Sequence, residues 1–287
     1  MHLLTHAQVA LDVAAKKSRD NELLILGSIL PDISELGIGN EVRTHTQGLY
    51  FLQSLSSAYR SLGIGFILHG EKPRGLDYYT HHGYYAAGKG HSVPLKRADG
   101  YIAQVYPQIA PIVRQYTKSF GRLSLDHAIH LVVEFCFDHI TAKRHPPLLS
   151  LVHKSLRANI SRTALITFST FFAINRKELH RLLRITRARY TGRFLSHFLT
   201  LEGTAHNFRN YIFFTSTRES SLPRRALFLQ MAKVARSSLD FIQTRIYERS
   251  LIEMFERCLP IVERDYDNFM RKTHKELKKM LTNENVL

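Results

Sequence analysis

The chain has 287 residues, of which 44% are hydrophobic and 22% charged, as is typical of a globular protein large enough to bury a sizeable core. No apolar run reaches the ~18 residues that a membrane-spanning helix needs, and two cysteines exclude a disulfide framework. The N-terminal stretch MHLLTHAQVALDVAAKK lacks the features of a signal peptide, so we expect a cytoplasmic protein.

The formal net charge of +16 is unevenly distributed. Residues 1–150 contain 15 Lys and Arg against 12 Asp and Glu, whereas residues 151–287 contain 25 against 12. The histidines show the opposite bias, since 11 of the 16 lie in the first 150 residues. A charge this high favours an anionic partner, such as nucleic acid, an anionic lipid surface or a phosphate-containing substrate, without choosing among them.

Helical periodicity dominates the chain, and alternating strand patterns flanked by hairpin turns are missing. We therefore predict an all-α fold, a multi-helix bundle. The predicted helices are 6–18, 47–61, 99–118, 124–142, 150–173, 176–199, 223–248 and 250–281. Pro146-Pro147 is the candidate boundary between a metal-binding helical core, 1–145, and a basic helical region, 146–287, that packs on this core as one body.

The stretch SLDHAIHLVVEFCFDHI, residues 124–140, carries a narrow polar stripe on an otherwise apolar helix. The stripe consists of His127, His130, Glu134 and Asp138. A helix this apolar should be buried, and buried imidazole and carboxylate groups need partners, among which a metal ion is a strong one. The spacing of His130 and Glu134 also allows two ligands to share one zinc. A solvent-facing stripe remains the alternative.

Other candidate ligands precede this helix. Asp32 ends an apolar run after Pro31, and His45 follows it along the chain. His69 closes the apolar run LGIGFILH, and Asp77 and His81 have the i, i+4 spacing of a helix that begins near Leu76. Simpler alternatives exist for all of them. Asp32 could be a helix cap or turn residue, His45 a surface histidine, and the segment from His69 to His81 a polar surface loop. The choice between His81 and the adjacent His82 as a ligand stays open.

The elements occur in the order THAQVA, GSILPD, a histidine, LGIGFILH followed by LDYYTHHG, and HLVVEFCFD. Over about residues 1–140 this order resembles the zinc-dependent phospholipase C family, whose all-helical fold is shared by single-strand nucleases. One departure is a spacing of seven residues between His69 and Asp77 where the family commonly has three, owing to the insertion EKPRG. The metal ligands that the resemblance implies are His6, Asp32, His45, His69, Asp77, His81, His130 and Glu134.

The resemblance further implies zinc as the cofactor, with two ions expected rather than three, because the third position in secreted members uses a processed amino terminus. Ligands of the His, Asp and Glu types without cysteine also suit Mn or Fe. Asp32 and Asp77 are the expected catalytic carboxylates. His127 and Asp138 lie outside the family pattern and are candidates for outer partners of the ligands.

The expected function is hydrolysis of a phosphodiester or phosphomonoester by a metal-activated water. A nucleic-acid-binding or nuclease-like protein on the same fold is the first alternative. It is suggested by the basic stretch NRKELHRLLRITRARYTGRF, in which Arg176, Arg184 and Arg187 are candidate phosphate contacts, although a solvated basic face is the simpler explanation. A non-catalytic helical interaction protein is the second alternative.

Overall fold

The computed structural model describes residues 3–15, 20–32, 41–81, 100–116, 123–218 and 239–286. Within these ranges the protein is all-α, without strands, which confirms the predicted fold class. Short 3₁₀ turns lie at Ser57–Tyr59 and His197–Leu199. The helices, in chain order, are α1 (Leu3–Ala14), α2 (Asn21–Ile29), α3 (Glu41–Thr46), α4 (Gly48–Ser54), α5 (Arg60–His69), α6 (Leu76–His81), α7 (Tyr101–Gln115), α8 (Leu125–Arg144), α9 (Pro147–Ser155), α10 (Arg162–Phe171), α11 (Arg176–Arg189), α12 (Gly192–Ser196), α13 (Leu201–Arg218) and α14 (Leu239–Asn283).

Two long predicted helices are each broken in the structure. The predicted helix 150–173 is α9 and α10, and the predicted helix 176–199 is α11 and α12. Capping side chains explain the restarts, because Ser161 accepts a hydrogen bond from the Ala164 N–H and Thr191 accepts one from the Phe194 N–H. Short polar residues that end one helix and begin the next override the helical periodicity that runs through them.

The C-terminal helices also differ from the prediction. Helix α13 was not predicted, and one helix, α14, replaces the end of the predicted 223–248 and the whole of 250–281. Residues 223–238 of that prediction lie outside the described residues. Pro260 lies inside α14, and the described helix continues through it.

The closest helix pair in the core is α2 and α5, and two glycines make this approach possible. A Cβ added at Gly27 would lie 2.0 Å from the Leu62 carbonyl oxygen, and one at Gly65 would lie 2.1 Å from the Leu24 carbonyl oxygen. Any side chain at either position would therefore drive the two backbones apart. This contact brings the end of α2 beside the end of α5, where Asp32 and His69 lie.

Helix α8 runs through the middle of the molecule and is buried from Ala128 to Ala142. It contacts α1, α7, α13 and α14. His130, Glu134 and Asp138 are all less than 5% exposed, so the alternative of a solvent-facing stripe is wrong for these three residues. Their burial means that each polar group must find a partner inside the protein.

The basic region is in contact with the first 145 residues. Helix α9 packs on α1 and α2, and α14 packs on α1, α7 and α8. The proline pair at the candidate boundary starts α9, with Pro146 as its N-cap and Pro147 as its first residue. None of the described helices has both the length and the apolar character needed to cross a membrane.

Candidate metal centre

The structure brings together all eight side chains that the sequence proposes as ligands. They come from α1 (His6), the 3₁₀ turn at 30–32 (Asp32), α3 (His45), α5 (His69), α6 (Asp77, His81) and α8 (His130, Glu134). Only the Asp32 and His45 side chains are more than 10% exposed, at 12% and 14%. The cluster is therefore closed on most sides and accessible along its Asp32–His45 edge.

Asp77 lies at the centre of the cluster. Its Oδ2 is 3.2 Å from His45 Nε2 and 3.1 Å from His69 Nε2. Its Oδ1 is 3.3 Å from His6 Nε2 and 3.6 Å from His81 Nδ1. One buried carboxylate thus lies within 3.6 Å of four imidazoles, which come from α1, α3, α5 and α6.

Asp32 completes the part of the cluster formed by α1, α3 and α5. Its Oδ1 is 3.1 Å from His69 Nε2 and 3.7 Å from His45 Nε2. The His6 ring stacks on the His69 ring with 3.8 Å between centroids. Two overlapping sets, His6–Asp32–His69 and His45–His69–Asp77, have donor atoms within 4.8 Å of one another and are placed to hold a metal ion.

A third set, His81–His130–Glu134, has the same property and lies beside the first two. Glu134 Oε1 is 2.7 Å from His130 Nε2 and 3.3 Å from His81 Nε2. The His81 and His130 rings stack with their centroids 4.6 Å apart. Because His81 faces Glu134 through Nε2 and Asp77 through Nδ1, its ring separates the two parts of the cluster.

Two hydrogen bonds outside the cluster fix the orientation of its histidines. His69 Nδ1 lies 2.7 Å from the Ser28 carbonyl oxygen, and His45 Nδ1 lies 3.0 Å from the Thr44 hydroxyl. The Ser28 carbonyl holds one proton on Nδ1 of His69, so the proton that a cation would displace is the one on Nε2, which faces the carboxylates. Neither partner was predicted from the sequence, and no sequence signal marks a backbone carbonyl such as that of Ser28.

The buried imidazoles divide into two electrostatic classes. Burial lowers the pKa of His6 and of His81 to about 4, so both rings are neutral at neutral pH, the form that binds metal ions. At His69 burial opposes the charged form, but the Asp77 and Asp32 carboxylates outweigh it and raise the pKa to about 9. His45 behaves in the same way, with burial opposed by its hydrogen bonds to Asp32 and Asp77 and a pKa well above its usual value.

The carboxylates show the complementary effect. Burial alone would raise the pKa of Asp32 and of Asp77, but the His69 charge and hydrogen bonds from the histidines hold both well below the usual range. Both are therefore ionised at neutral pH, with protons on His45 and His69 as their counter-charges. A bound cation would replace those protons, so metal binding should release them.

Asp138 has a different partner from the one predicted. Its Oδ1 accepts hydrogen bonds from the Leu4 N–H, the Thr5 N–H and the Thr5 hydroxyl, each at 3.0 Å. It therefore caps the first turn of α1, and none of its described hydrogen bonds goes to a ligand side chain. Its influence on the centre passes through α1, which carries His6.

A buried hydrogen-bond network extends from this cap to the C-terminal helix. The Thr5 hydroxyl lies 3.1 Å from the Thr141 hydroxyl, which lies 2.7 Å from the Tyr266 hydroxyl on α14. Three helices, α1, α8 and α14, are thus tied together next to the ligands of α1 and α8. His127, the other predicted outer partner, is exposed, with its ring centroid 6.0 Å from that of His130.

The insertion between His69 and Asp77 leaves these two residues in contact. The Glu71 and Lys72 N–H groups both donate to the His45 carbonyl oxygen, at 2.7 and 3.0 Å. The inserted loop is therefore anchored on the backbone of a third candidate ligand. His82, the alternative to His81, lies outside the described residues.

The three arginines predicted to contact phosphate have different environments. Arg187 is half-buried and donates from Nε to the Leu156 carbonyl at 2.8 Å and from Nη2 to the Ala158 carbonyl at 3.1 Å. Its guanidinium group is thus used to hold the end of α9, which argues against the predicted phosphate contact. Arg176 and Arg184 are exposed.

Comparisons with protein-family models, with curated proteins and with solved structures find no match for this chain.

Proposed function

We propose that the protein is a metal-dependent phosphoric ester hydrolase. The single observation behind this proposal is that eight buried or half-buried His, Asp and Glu side chains meet, with Asp77 at their centre. So many titratable groups in one interior are costly unless they pair with one another or bind cations. Most other interior polar residues of the described chain are hydroxyl or amide groups, which need no ion.

The donor set fits zinc and also suits Mn or Fe, because it combines imidazole nitrogens with carboxylate oxygens and contains no thiolate. The sets His6–Asp32–His69 and His45–His69–Asp77 share His69, whereas His81–His130–Glu134 shares no residue with either. This overlap favours two ions over three. Bound divalent ions would supply an acidic water and positive charge for phosphoryl oxygens.

The residues themselves have separable tasks in such a reaction. Asp77 spans both parts of the cluster and holds them together. Asp32 lies at the accessible edge and is ionised, so it is the ligand carboxylate placed to accept a hydrogen bond from an attacking water and orient it. His69, His130 and Glu134 form the closed side and shape an interior from which bulk water is excluded.

Metal content measured by mass spectrometry, on protein purified without a histidine tag, tests this proposal. We expect about two Zn, Mn or Fe ions per chain, together with hydrolysis of a chromogenic phosphodiester or phosphomonoester. Asp32→Ala and Glu134→Ala should each lower both metal content and hydrolysis. Asp126→Ala is the matched control, because Asp126 is an exposed carboxylate on α8 whose described side-chain bond is to Tyr106. Protein that holds no stoichiometric metal after reloading would refute the hydrolase.

A nuclease-like activity on the same fold is the second candidate, and the concentration of positive charge after residue 150 favours it. Affinity for single-stranded oligonucleotides that falls steeply with salt, together with their cleavage, would select it. Weak, salt-insensitive binding would leave the smaller phosphoric esters as substrates.

A further inference from the structure

A second candidate site lies along α10 and α11, and none of the side chains that line it belongs to the eight candidate ligands. Residues 151–194 contain ten Lys and Arg and a single acid, Glu178. A groove of about 660 Å³ runs along α11 within this segment. This volume is within the range of pockets that bind small ligands, roughly 300–1,000 Å³.

The cations around the groove are not equivalent. Arg181 is paired with Glu178 through two hydrogen bonds of 2.9 and 2.6 Å, and Arg187 is bonded to the backbone at the end of α9. Lys177 and Arg184 remain, and no acidic side chain pairs with either in the part of the chain that the structure describes. With His180 between them, they follow the i, i+3, i+7 spacing that puts three side chains on one helix face.

The floor of the groove is apolar. Ile160, Leu165 and Leu183 line it, and the same three residues line a small cavity beneath it whose other walls include Leu30 and Leu62. The Arg187 bonds fix α11 against α9, so the shape of the groove is set by packing. The described residues that line it include no Phe, Tyr or Trp, which are the side chains that single-stranded nucleic acid uses for stacking.

We propose that this groove binds a phosphate ester that carries an apolar chain. Lys177, His180 and Arg184 face the phosphate, and the chain lies on Ile160, Leu165 and Leu183. The ligand is either a phospholipid or a soluble amphiphilic phosphate, since both share this chemistry. The site does not depend on the metal centre, because none of its residues belongs to the ligand cluster.

Calorimetric titration with short-chain phosphatidic acid tests the proposal, with inorganic phosphate and a single-stranded oligonucleotide as comparison ligands. In Lys177→Glu/Arg184→Glu we expect affinity for the lipid to fall at least about tenfold, since two charge-assisted contacts become repulsive. Lys278→Glu/Lys279→Glu removes the same charge from exposed positions on α14 and should change affinity by less than about twofold. Glu134→Gln should leave this binding intact.

The proposal is overturned if the two double variants weaken binding equally, because net charge alone would then explain it. It is also overturned if inorganic phosphate binds as tightly as the lipid, or if only the oligonucleotide binds. Vesicles with and without anionic lipid then distinguish the sources. Vesicle binding lost in Lys177→Glu/Arg184→Glu identifies a membrane lipid, whereas binding of the short-chain lipid alone identifies a soluble ester. Unchanged metal content in the same variant separates this test from that of the metal centre.

Discussion

The candidate metal centre and the basic groove both contain charged and imidazole side chains, but those of the centre are mostly buried and those of the groove mostly exposed. In the centre, His and Asp side chains are buried, and each lies within hydrogen-bonding or ion-pairing distance of the next. Along α11 the charged side chains are mostly exposed, and water can satisfy them. Burial therefore makes the residue types of the inner cluster informative about function, because a buried polar group is costly unless it has a partner. On the surface, a residue type alone does not reveal a role, as Arg181, Arg184 and Arg187 demonstrate.

The largest effect should come from removing the charge that joins the two parts of the centre. Asp77→Asn takes away the carboxylate that contacts four imidazoles, and it leaves His45 and His69 with fewer counter-charges. We expect metal affinity to fall by more than about 100-fold. Replacing a residue that only hydrogen-bonds to a metal ligand already lowers metal affinity by about 10- to 100-fold. Chelator competition with metal analysis measures this loss.

Glu134→Gln sharpens the same comparison, because the described ion pairs of Glu134 are with His81 and His130, whereas Asp77 contacts both parts of the cluster. It should remove about one ion, whereas Asp77→Asn should remove both. If both variants hold as much metal as the unaltered protein, the inner cluster is a structural hydrogen-bonded network and the hydrolase is excluded.

The next effect concerns the close approach of α2 and α5. Gly65→Ala places a methyl group 2.1 Å from the Leu24 carbonyl oxygen, and backbone cannot move aside as a side chain can. We expect a loss of about 3 kcal/mol in the free energy of unfolding, measured by urea denaturation, together with weaker metal binding. At Gly192 the nearest atom to an added Cβ is 3.9 Å away, so Gly192→Ala is the control and should change stability by less than about 0.5 kcal/mol.

Substitutions of Asp138 test whether the hydrogen-bond network beside the candidate metal centre holds the ligands in position. Asp138→Ala would leave the Leu4 and Thr5 N–H groups buried without their acceptor, at a cost of about 2 kcal/mol in unfolding free energy. Metal affinity should fall as well, because the first turn of α1 precedes His6. Asp138→Asn keeps an oxygen acceptor and should recover most of the loss. Equal damage from both variants would contradict a capping role.

The same residue predicts a dependence of stability on pH. Burial raises the pKa of Asp138 to about 7, against hydrogen bonds from Thr5 and Leu4 that lower it, while the unfolded value is 3.8. The folded protein thus binds the extra proton between these values. Its contribution to stability is complete below about pH 4 and is lost as the pH rises through 7, by about 1.4 kcal/mol per pH unit. The difference between the unaltered protein and Asp138→Asn, measured from pH 5 to 8, isolates this contribution.

The sequence predicts the candidate site best where helix periodicity alone determines which side chains share a face. The i, i+4 pair Asp77 and His81 lies on a helix that begins at Leu76, as expected, and the apolar surroundings of His130 and Glu134 correctly indicate a buried face. Periodicity does not say which neighbour meets that face. Asp138 continues the same stripe, yet it meets the start of α1 because α8 has advanced another turn by then.

Other features depend on contacts between distant parts of the chain. The approach of α2 and α5 depends on Gly27 and Gly65, which come close only after folding. The role of Ser28 depends on a backbone carbonyl that has no sequence signal. The chain breaks after α9 and α11 because Ser161 and Thr191 cap the helices that follow. A prediction from helical periodicity does not register such caps, since the apolar pattern continues across them.

The smallest expected effect separates two arginines that the sequence treats as equivalent. Arg187→Ala leaves the Leu156 and Ala158 carbonyls without their donor and should lower the free energy of unfolding by about 1 kcal/mol. Arg184→Ala removes an exposed side chain without a described ion pair, so its effect on stability should stay below about 0.5 kcal/mol. Ligand affinity should follow the reverse order if the groove binds phosphate through Arg184. Two variants on one helix, compared by thermal melting and by lipid titration, therefore separate a cation that holds the fold from one that is available to a ligand.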